Sequence, residues 1–334
     1  MKLKIAISFI VLSILSCSKE RITQQSTQAN STDDGTTLVN AKIPLNDLGT
    51  ASYMGYTGGL YPGGANSPSG QYAADLLEIS NTIVPIDTFG NASATKGKIV
   101  FLSLGASTGG KNMQALIAKT TGNPLTNPKL VMADCNQGGA TSSLTSIANP
   151  IDPYWLTVTK VINRKKSSYK QVQVVYLETD DGVTTKQFPD RPNAIRNKIE
   201  ACARNMHNKF PNLKVLYLLG RTRTFNNKTN NATPWNTEPS PYYFGWACKW
   251  AIEEQINGVA GTEYKGPNKK APIITWGFYQ WADSLPRVTD NFYWRWSETK
   301  DGLHSNDAGE DTLATRFQKF LLTDSYAKKW YAAP

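Results

Sequence analysis

The chain has 334 residues, 40% of them apolar, and a formal net charge of +10. A chain of this length and apolar content can form one large domain or two small ones, which excludes an intrinsically disordered protein. Its lysines and arginines are scattered and form no concentrated stripe. We therefore expect no nucleic-acid partner and predict a basic surface that favours anionic glycans or an anionic membrane.

Residues 1–16 have the features of a bacterial targeting segment. Two lysines precede an apolar run at 5–15, which is too short to span a bilayer as a helix. The run ends in Ile14-Leu15-Ser16-Cys17, which is similar to a lipobox, and the polar residues 17–37 predict a flexible tether. We predict that Cys17 is lipidated and anchors the protein to a membrane of the bacterial cell envelope, at the outer membrane or cell surface or in the periplasm. The alternative is an ordinary signal peptide with an incidental cysteine.

Residues 38–96 are rich in glycine, proline, tyrosine and asparagine. The run from Tyr53 to Gly64 contains five glycines and a proline, which predicts turns and not regular structure. The segment has no histidine and few carboxylates. We therefore predict an irregular leader that packs on the following domain and supplies none of its chemistry.

Strand and helix patterns alternate from residue 97 onward. Short apolar runs predict five strands, at 98–104, 130–134, 172–178, 213–219 and 272–276. Helical patterns occur at 111–119, 153–163, 191–209, 241–257 and 307–322. Because apolar runs without alternation are typical of strands covered on both faces, we predict a parallel sheet in an α/β domain spanning 97–334.

Three cysteines follow Cys17, namely Cys135, Cys202 and Cys248. Three cysteines cannot all pair, and a disulfide between Cys202 and Cys248 is compatible with the sequence without being required. No CxxC motif and no Cys/His cluster occurs, so we predict no metal site and no cofactor.

Tryptophan is concentrated in the later half of the chain. Six of the nine tryptophans are Trp246, Trp250, Trp276, Trp281, Trp294 and Trp296. Two interpretations are open, because an aromatic ring packs well in a core and also stacks on the apolar face of a sugar. The second interpretation predicts a glycan-binding surface.

The stretch 97–110 carries the first candidate functional residue. It combines a buried strand, a glycine-rich turn that contains Ser107, and the start of a helix. Enzymes with α/β folds display a nucleophile in this way, on a sharp turn at the carboxyl end of a strand. Gly105, Gly109 and Gly110 would let the turn approach neighbouring groups closely. Ser107 is therefore the candidate nucleophile.

Asp301 and His304 form the second candidate element. They are three residues apart, so one turn of the chain can present both toward the same place. A serine hydroxyl needs a base to take its proton, and the base needs an acid that holds it in the right tautomer. The other histidine, His207, lies inside the predicted helix 191–209. This leaves His304 as the candidate base and Asp301 as the acid that orients it.

These motifs resemble the SGNH, or GDSL-like, hydrolase superfamily over roughly residues 95–325. Gly105-Ala-Ser107 stands where the family has Gly-Asp-Ser, and Asn136-Gln-Gly138-Gly139 matches the glycine motif after the second strand. Asp301-Gly-Leu-His304 matches the last motif. The resemblance implies a three-layer α/β/α fold of the flavodoxin-like type, with about five parallel strands.

The resemblance also implies an oxyanion hole, with one departure. Backbone N–H groups of Ser107 and of Gly138 or Gly139 would hold the oxyanion. The family has a Gly-x-Asn turn after the fourth strand, whereas this chain has Gly220-Arg221-Thr222-Arg223. It stays open whether Asn136 or Arg221 replaces the missing donor.

The function implied by the resemblance is that of a metal-free serine esterase. It would hydrolyse acyl esters, chiefly acetyl esters, on a glycan or another small molecule, with Ser107, His304 and Asp301 as nucleophile, base and acid. Two alternatives remain. The chain could be a non-catalytic glycan-binding lipoprotein that lost its third oxyanion donor, or an O-acyltransferase, since the sequence does not distinguish water from an alcohol as acceptor.

Overall fold

The computed structural model describes residues 42–138, 143–181, 186–225 and 236–334, together with the backbone of two short antiparallel strands, Thr32–Asp33 and Thr36–Thr37. The targeting segment, Cys17 and most of the tether lie outside the described residues. Residues 42–334 belong to one unit, which includes residues 42–96 of the predicted leader. Within the described ranges, no helix combines the length and the apolar character that crossing a membrane requires.

A five-stranded parallel sheet forms the centre of this unit. Its strands are β1 (Ile99–Gly105), β2 (Leu130–Asp134), β3 (Val172–Glu178), β4 (Val215–Leu218) and β5 (Ile273–Trp276). They pair in the order β2-β1-β3-β4-β5, which is the order of doubly wound, flavodoxin-like folds. The predicted parallel α/β sheet is confirmed. All strands except β2 are buried along their whole length, which explains why their sequences are largely apolar.

Nine α-helices flank the sheet within the described ranges. They are α1 (Leu45–Leu48), α2 (Gly70–Asn81), α3 (Ser107–Thr120), α4 (Leu144–Ala148), α5 (Tyr154–Arg164), α6 (Asp190–Lys209), α7 (Ser240–Ile256), α8 (Asp307–Thr323) and α9 (Lys328–Tyr331). All five predicted helices are among them. Helix α3 packs against α8, whereas α6 packs against α4 and α7. The helices therefore cover the sheet as the two outer layers of a three-layer α/β/α fold.

Aromatic side chains fix α8 and α9 on the sheet. Phe101 of β1 and Tyr176 of β3 both contact Phe317 of α8 edge to face, with ring centroids 6.4 Å and 5.4 Å apart. Phe101 and Tyr217 of β4 also contact Trp330 of α9, at 5.4 Å and 6.2 Å. Each buried ring stabilises the fold by roughly 1.5–3 kcal/mol. This packing fixes the position of the helix that follows the second candidate motif.

The leader contains α1, α2 and a short antiparallel strand pair, so its interpretation as irregular is wrong for residues 45–48, 70–81 and 52–57. The apolar residues of α2 recur at helical spacing, but the turn-rich sequence around them obscured the pattern. Tyr72 and Leu76 are buried in the main core. The leader is therefore part of the folded unit and not an appendage.

The segment that precedes α2 packs on the outer strand β5. The hydroxyl groups of Tyr61 and Thr275 share a hydrogen bond of 2.8 Å, and both residues are buried. Trp276 donates its indole N–H to the Leu60 carbonyl at 2.7 Å. These contacts shield a sheet edge that would otherwise be open to another chain.

The late tryptophans belong to the core. Trp246, Trp250, Trp276, Trp281 and Trp294 are all buried, and only Trp296 of the six is half-buried. A buried ring has no free face for a sugar. The interpretation of this group as a glycan-stacking surface is therefore wrong for the five buried rings.

The three cysteines of the described unit are free and buried. No disulfide joins Cys202 and Cys248, which answers the question left open by the sequence. Burial raises the pKa of each thiol, so Cys135, Cys202 and Cys248 stay protonated. They act as small apolar side chains and not as nucleophiles.

Adjacent leucines in α2 test whether the leader belongs to the core. Leu76 is 1% exposed, whereas Leu77 is 38% exposed. We expect Leu76→Ala to lower the free energy of unfolding by about 2–5 kcal/mol, because it leaves a cavity. Leu77→Ala is the matched control and should cost less than about 1 kcal/mol. If denaturant unfolding gave equal and small losses of unfolding free energy for the two variants, the placement of α2 in the core would be contradicted.

Candidate active site

Ser107 lies where β1 meets α3. It is the first residue of α3, and the preceding residue, Ala106, has an extended backbone. The neighbours of β1 are β2 on one side and β3 on the other, so Ser107 stands at the point where the strand order reverses. Open α/β sheets leave a crevice for ligands at this point, outside the carboxyl ends of the strands.

Gly105 is required by close packing against β3. Its φ is +143°, and a Cβ there would lie 1.9 Å from the carbonyl oxygen of Glu178. A Cβ on Gly109 would lie 2.9 Å from Oδ1 of Asn136, in the loop after β2. Both glycines therefore let the turn sit directly on the ends of its two neighbouring strands.

The structure brings Ser107, His304 and Asp301 into one chain of hydrogen bonds. Ser107 Oγ lies 2.9 Å from His304 Nε2, and His304 Nδ1 lies 2.9 Å from Asp301 Oδ2. A carboxylate only accepts hydrogen bonds, so the neutral ring carries its proton on Nδ1. The unprotonated Nε2 is then the acceptor for the serine hydroxyl.

Asp301 holds the backbone of the histidine turn as well as the ring. Its Oδ1 accepts from the N–H groups of Leu303 at 3.0 Å and His304 at 2.8 Å. Partial burial alone would raise the pKa of Asp301, but the bonds from the ring and from these N–H groups outweigh it and hold the pKa below its ordinary value. The carboxylate therefore stays charged at lower pH than an exposed aspartate does.

The segment after β4 supports the histidine turn. Phe225 donates its N–H to the Gly302 carbonyl at 2.8 Å, and its ring lies edge-on to Trp296 with centroids 6.0 Å apart. Gly302 has a φ of +82°, and a Cβ there would lie 2.7 Å from the Trp296 ring. Residues 221–225 are buried throughout. The segment that departs from the Gly-x-Asn pattern is thus a support for the turn that carries His304.

The first turn of α3 supplies backbone donors beside Ser107. The leading N–H groups of a helix have no partner within it, and no acceptor among the described residues approaches the N–H of Ser107 or Thr108. The helix dipole adds partial positive charge at this end. Gly138, a predicted oxyanion donor, lines the same pocket as Ser107, whereas Gly139 lies outside the described residues.

Asn136 lines the pocket but has another role. Its Nδ2 donates to Ser103 Oγ at 2.6 Å and to Asp134 Oδ1 at 2.8 Å, which uses both amide hydrogens. The Asn136 backbone N–H also donates to Asp134 Oδ1, at 3.0 Å. The structure therefore contradicts the hypothesis that Asn136 replaces the missing oxyanion donor. It ties the end of β2 to β1.

Arg221 belongs to a buried ion cluster and does not line the pocket beside Ser107. Its Nη1 donates to Asp180 Oδ2 at 2.8 Å, and Arg191 Nη2 donates to Asp180 Oδ1 at 3.1 Å. Such charges are held by their mutual pairing, and removing one partner leaves another buried charge uncompensated. The hypothesis that Arg221 acts as an oxyanion donor is contradicted. Its guanidinium pairs with Asp180 and so joins the segment after β4 to the segment after β3.

A pocket of about 300 Å³ opens beside Ser107 and His304. Helix α3, the loop after β2 and the turn at 300–304 all contribute to its wall. A larger groove of about 730 Å³ lies at the far end of α3, beside Thr120 and Leu130, and contains none of the candidate residues. The smaller pocket is therefore the candidate active site, because the reactive side chains converge there.

A buried polar network beneath α3 was not predicted from the sequence. Glu178, the last residue of β3, accepts at Oε2 from Asn112 Nδ2 at 3.1 Å, from Gln280 Nε2 at 3.2 Å and from the Tyr176 hydroxyl. Burial raises the pKa of Glu178, and these bonds offset only part of that effect. The one available signal was an acidic residue at the end of an otherwise largely apolar strand. The network connects α3 to β3 directly below the serine turn.

No metal-binding arrangement accompanies these residues. Across residues 42–138, 143–181, 186–225 and 236–334, no three His, Cys, Asp or Glu side chains are grouped so that they could hold a metal ion.

Comparisons with known proteins leave the family open. No family model matches the sequence, and no curated protein matches it. Among solved structures, the salicylyl-acyltransferase SsfX3 from a tetracycline biosynthetic pathway is similar with a TM-score of 0.36 and 10% sequence identity, over 70% of this chain. This chain spans 58% of the length of that protein. A similarity this low indicates nothing about the site or the reaction of this chain.

Two glycines with positive φ test the close packing at the serine turn. Gly105→Ala should lower the free energy of unfolding by about 3 kcal/mol or more, because the new Cβ collides with the Glu178 carbonyl. Gly122→Ala is the control, since Gly122 has a φ of +73° but no atom within 4 Å of its Cβ position. Gly122→Ala should lower the free energy of unfolding by about 1–2 kcal/mol, which is the cost of holding an alanine in the left-handed backbone conformation. Equal losses in denaturant unfolding would contradict the close packing.

Proposed function

We propose that this protein is a serine esterase of the SGNH type, with Ser107 as nucleophile, His304 as base and Asp301 as the acid that orients it. The observation that carries the proposal is the hydrogen-bonded chain that joins these side chains, with 2.9 Å at each of its two steps. The place of Ser107 after β1 and the late Asp-x-x-His motif support the same family.

The proposed reaction begins with attack of Ser107 Oγ on the ester carbonyl carbon, while His304 Nε2 takes the hydroxyl proton. The tetrahedral intermediate collapses, the alcohol leaves with the proton from Nε2, and the acyl group remains on Ser107. Water then attacks this acyl-enzyme and gives its proton to Nε2. Collapse of the second intermediate releases the carboxylic acid and restores the serine hydroxyl. Asp301 stabilises the imidazolium in both steps.

The oxyanion would be held at the start of α3. The Ser107 N–H and the positive end of the helix dipole lie next to the attacking oxygen, and Gly138 also lines the pocket. Removal of one side-chain donor from the oxyanion hole of a serine protease costs about 2.7–4 kcal/mol of transition-state stabilisation, which gives the scale of such a contact. The segment 221–225, which lacks the asparagine of the family, would serve through its hold on the histidine turn.

The substrate that we propose is an acyl ester, chiefly an acetyl ester, of a carbohydrate or another small alcohol. A pocket of about 300 Å³ is at the small end of ligand sites, which suits a short acyl chain. The buried tryptophans give no support for a sugar, so the carbohydrate part depends on the predicted envelope location. The same residues would transfer the acyl group if an alcohol replaced water, and adding acceptor alcohols to the assay distinguishes the two reactions.

Substitution of the three residues tests the proposed mechanism. Ser107→Ala and His304→Ala should each lower kcat for 4-nitrophenyl acetate by at least about a thousandfold, because neither group works alone. Asp301→Asn should lower it too, by placing the ring proton on the wrong nitrogen.

The second histidine supplies the matched control for these variants. His207 lies on α6 and does not line the pocket, so His207→Gln should keep kcat within about twofold of wild type. If the wild type hydrolyses no aryl or sugar ester, and Ser107→Ala binds acetylated glycans as well as wild type does, the chain is a binding module and not an esterase.

Anchoring through Cys17 is a separate proposal that depends on the lipobox and the polar stretch that follows it. A lipid-modified cysteine would hold the domain on an envelope membrane, with residues 17–37 as a tether. Cys17→Ala should release the protein from the membrane fraction on cell fractionation. Retention of the variant on the membrane to the same extent as wild type would overturn the proposal.

A further inference from the structure

The start of α3 is buried although it has no apolar side chain. Residues 107–112 read Ser-Thr-Gly-Gly-Lys-Asn, and the first apolar side chain of the helix is that of Met113. Helices of globular proteins are usually held on the core by an apolar face. Four of these residues are nonetheless buried, namely Thr108, Gly109, Gly110 and Asn112. The end of α3 that carries Ser107 must therefore be held by polar contacts.

Glu178, the last residue of β3, makes such contacts at two places. Its backbone carbonyl accepts from the N–H of Ala106, immediately before the helix, at 3.0 Å. Its side-chain Oε2 accepts from Asn112 Nδ2, in the second turn, at 3.1 Å. Between these places, a Cβ on Gly109 would lie 3.1 Å from the Glu178 Cβ, so the helix rests directly on this side chain. One residue thus holds both the start of α3 and its second turn.

The carboxylate of Glu178 is itself held in one orientation. Gln280 Nε2 donates to the same Oε2 at 3.2 Å, and the Tyr176 hydroxyl donates to it as well. Gln280 Nε2 also donates to the Tyr176 hydroxyl at 3.1 Å. Glu178 and Gln280 are each only 1% exposed, so little water competes for these bonds. Buried polar groups that satisfy one another in this way are rigid.

We propose that Glu178 is a positioning residue of the proposed esterase, which orients the first turns of α3 so that the Ser107 hydroxyl and N–H stay aligned with His304 and with the oxyanion. This inference rests on the proposed esterase function and adds a residue that does not line the pocket. Ser107 Oγ lies 2.9 Å from His304 Nε2. A displacement of about 1 Å in such a site can lower a rate by about a hundredfold.

The first test weakens the carboxylate without changing its size. Glu178→Gln places a neutral amide among the donors, and a neutral acceptor binds them more weakly than a carboxylate does. With 4-nitrophenyl acetate and the purified chain, kcat and kcat/KM should both fall by about tenfold or more. KM should stay within about twofold, because alignment matters most in the transition state. Labelling of Ser107 by a fluorophosphonate should slow by a similar factor.

Two further variants separate the contact from the residue that makes it. Asn112→Ala removes the helix side of the contact and leaves the carboxylate in place, so it should lower kcat in the same way. Glu178→Gln/Gln280→Glu returns a carboxylate to the cluster, because the Gln280 Oε1 position already lies 3.4 Å from Asn112 Nδ2. The double variant should recover most of the kcat that Glu178→Gln loses.

Asp75 supplies the matched control for a merely structural effect. It is a buried carboxylate on α2 that accepts from the Tyr264 hydroxyl at 2.6 Å and from Gln71 Nε2 at 2.8 Å, and it does not line the pocket. Asp75→Asn should lower the denaturant midpoint of unfolding, as the loss of a buried charged acceptor does. Its kcat and KM should stay within about twofold of wild type.

The outcomes that overturn the inference differ from those that overturn the esterase proposal. If folded Glu178→Gln and Asn112→Ala keep kcat within about twofold, or if Asp75→Asn lowers kcat as much as they do, Glu178 has no positioning role and the esterase proposal stands. If the wild type hydrolyses no ester and takes no label on Ser107, the esterase proposal is wrong and the positioning role falls with it.

Discussion

The contact between Gly105 and the carbonyl end of β3 is the constraint on which the site depends. With no Cβ at residue 105, the chain leaves β1 at a φ of +143° and starts α3 directly over the neighbouring strands. Ser107 thereby becomes the first residue of a helix, at the reversal of strand order. The close approach of Gly105 to the end of β3 therefore places a hydroxyl, free helix N–H groups and the positive end of the helix dipole at the same crevice.

The second half of the site is positioned by packing and not by the sheet. Helix α8 is held on the sheet by the contacts of Phe317 with Phe101 and Tyr176, and the turn that precedes it is held by the bond from Phe225 to Gly302. Asp301 then fixes the ring of His304 through its carboxylate. The segment after β4, which has no asparagine two residues after Gly220, thus supports the turn that carries the proposed base.

The sequence was most informative where local chemistry decides the structure. Apolar runs revealed all five strands, and the glycines around Ser107 and the spacing of Asp301 and His304 revealed three side chains that meet. It was least informative where the outcome depends on distant partners. Asn136 is drawn to Ser103 and Asp134, Arg221 is drawn to Asp180, and neither preference is visible without the fold. The sequence of the late tryptophans looks the same whether the rings form a core or a surface that stacks on a sugar. Only their packing in the structure distinguishes the two.

Covalent labelling of the proposed nucleophile tests the central claim most directly. A fluorophosphonate reacts with a serine that is activated by a neighbouring base, and peptide mapping then identifies the labelled residue. The account predicts one label, on Ser107, which is lost in His304→Ala although Ser107 is still present, and kept in His207→Gln. A folded wild-type protein that takes no label, or a label on a serine other than Ser107, would contradict it.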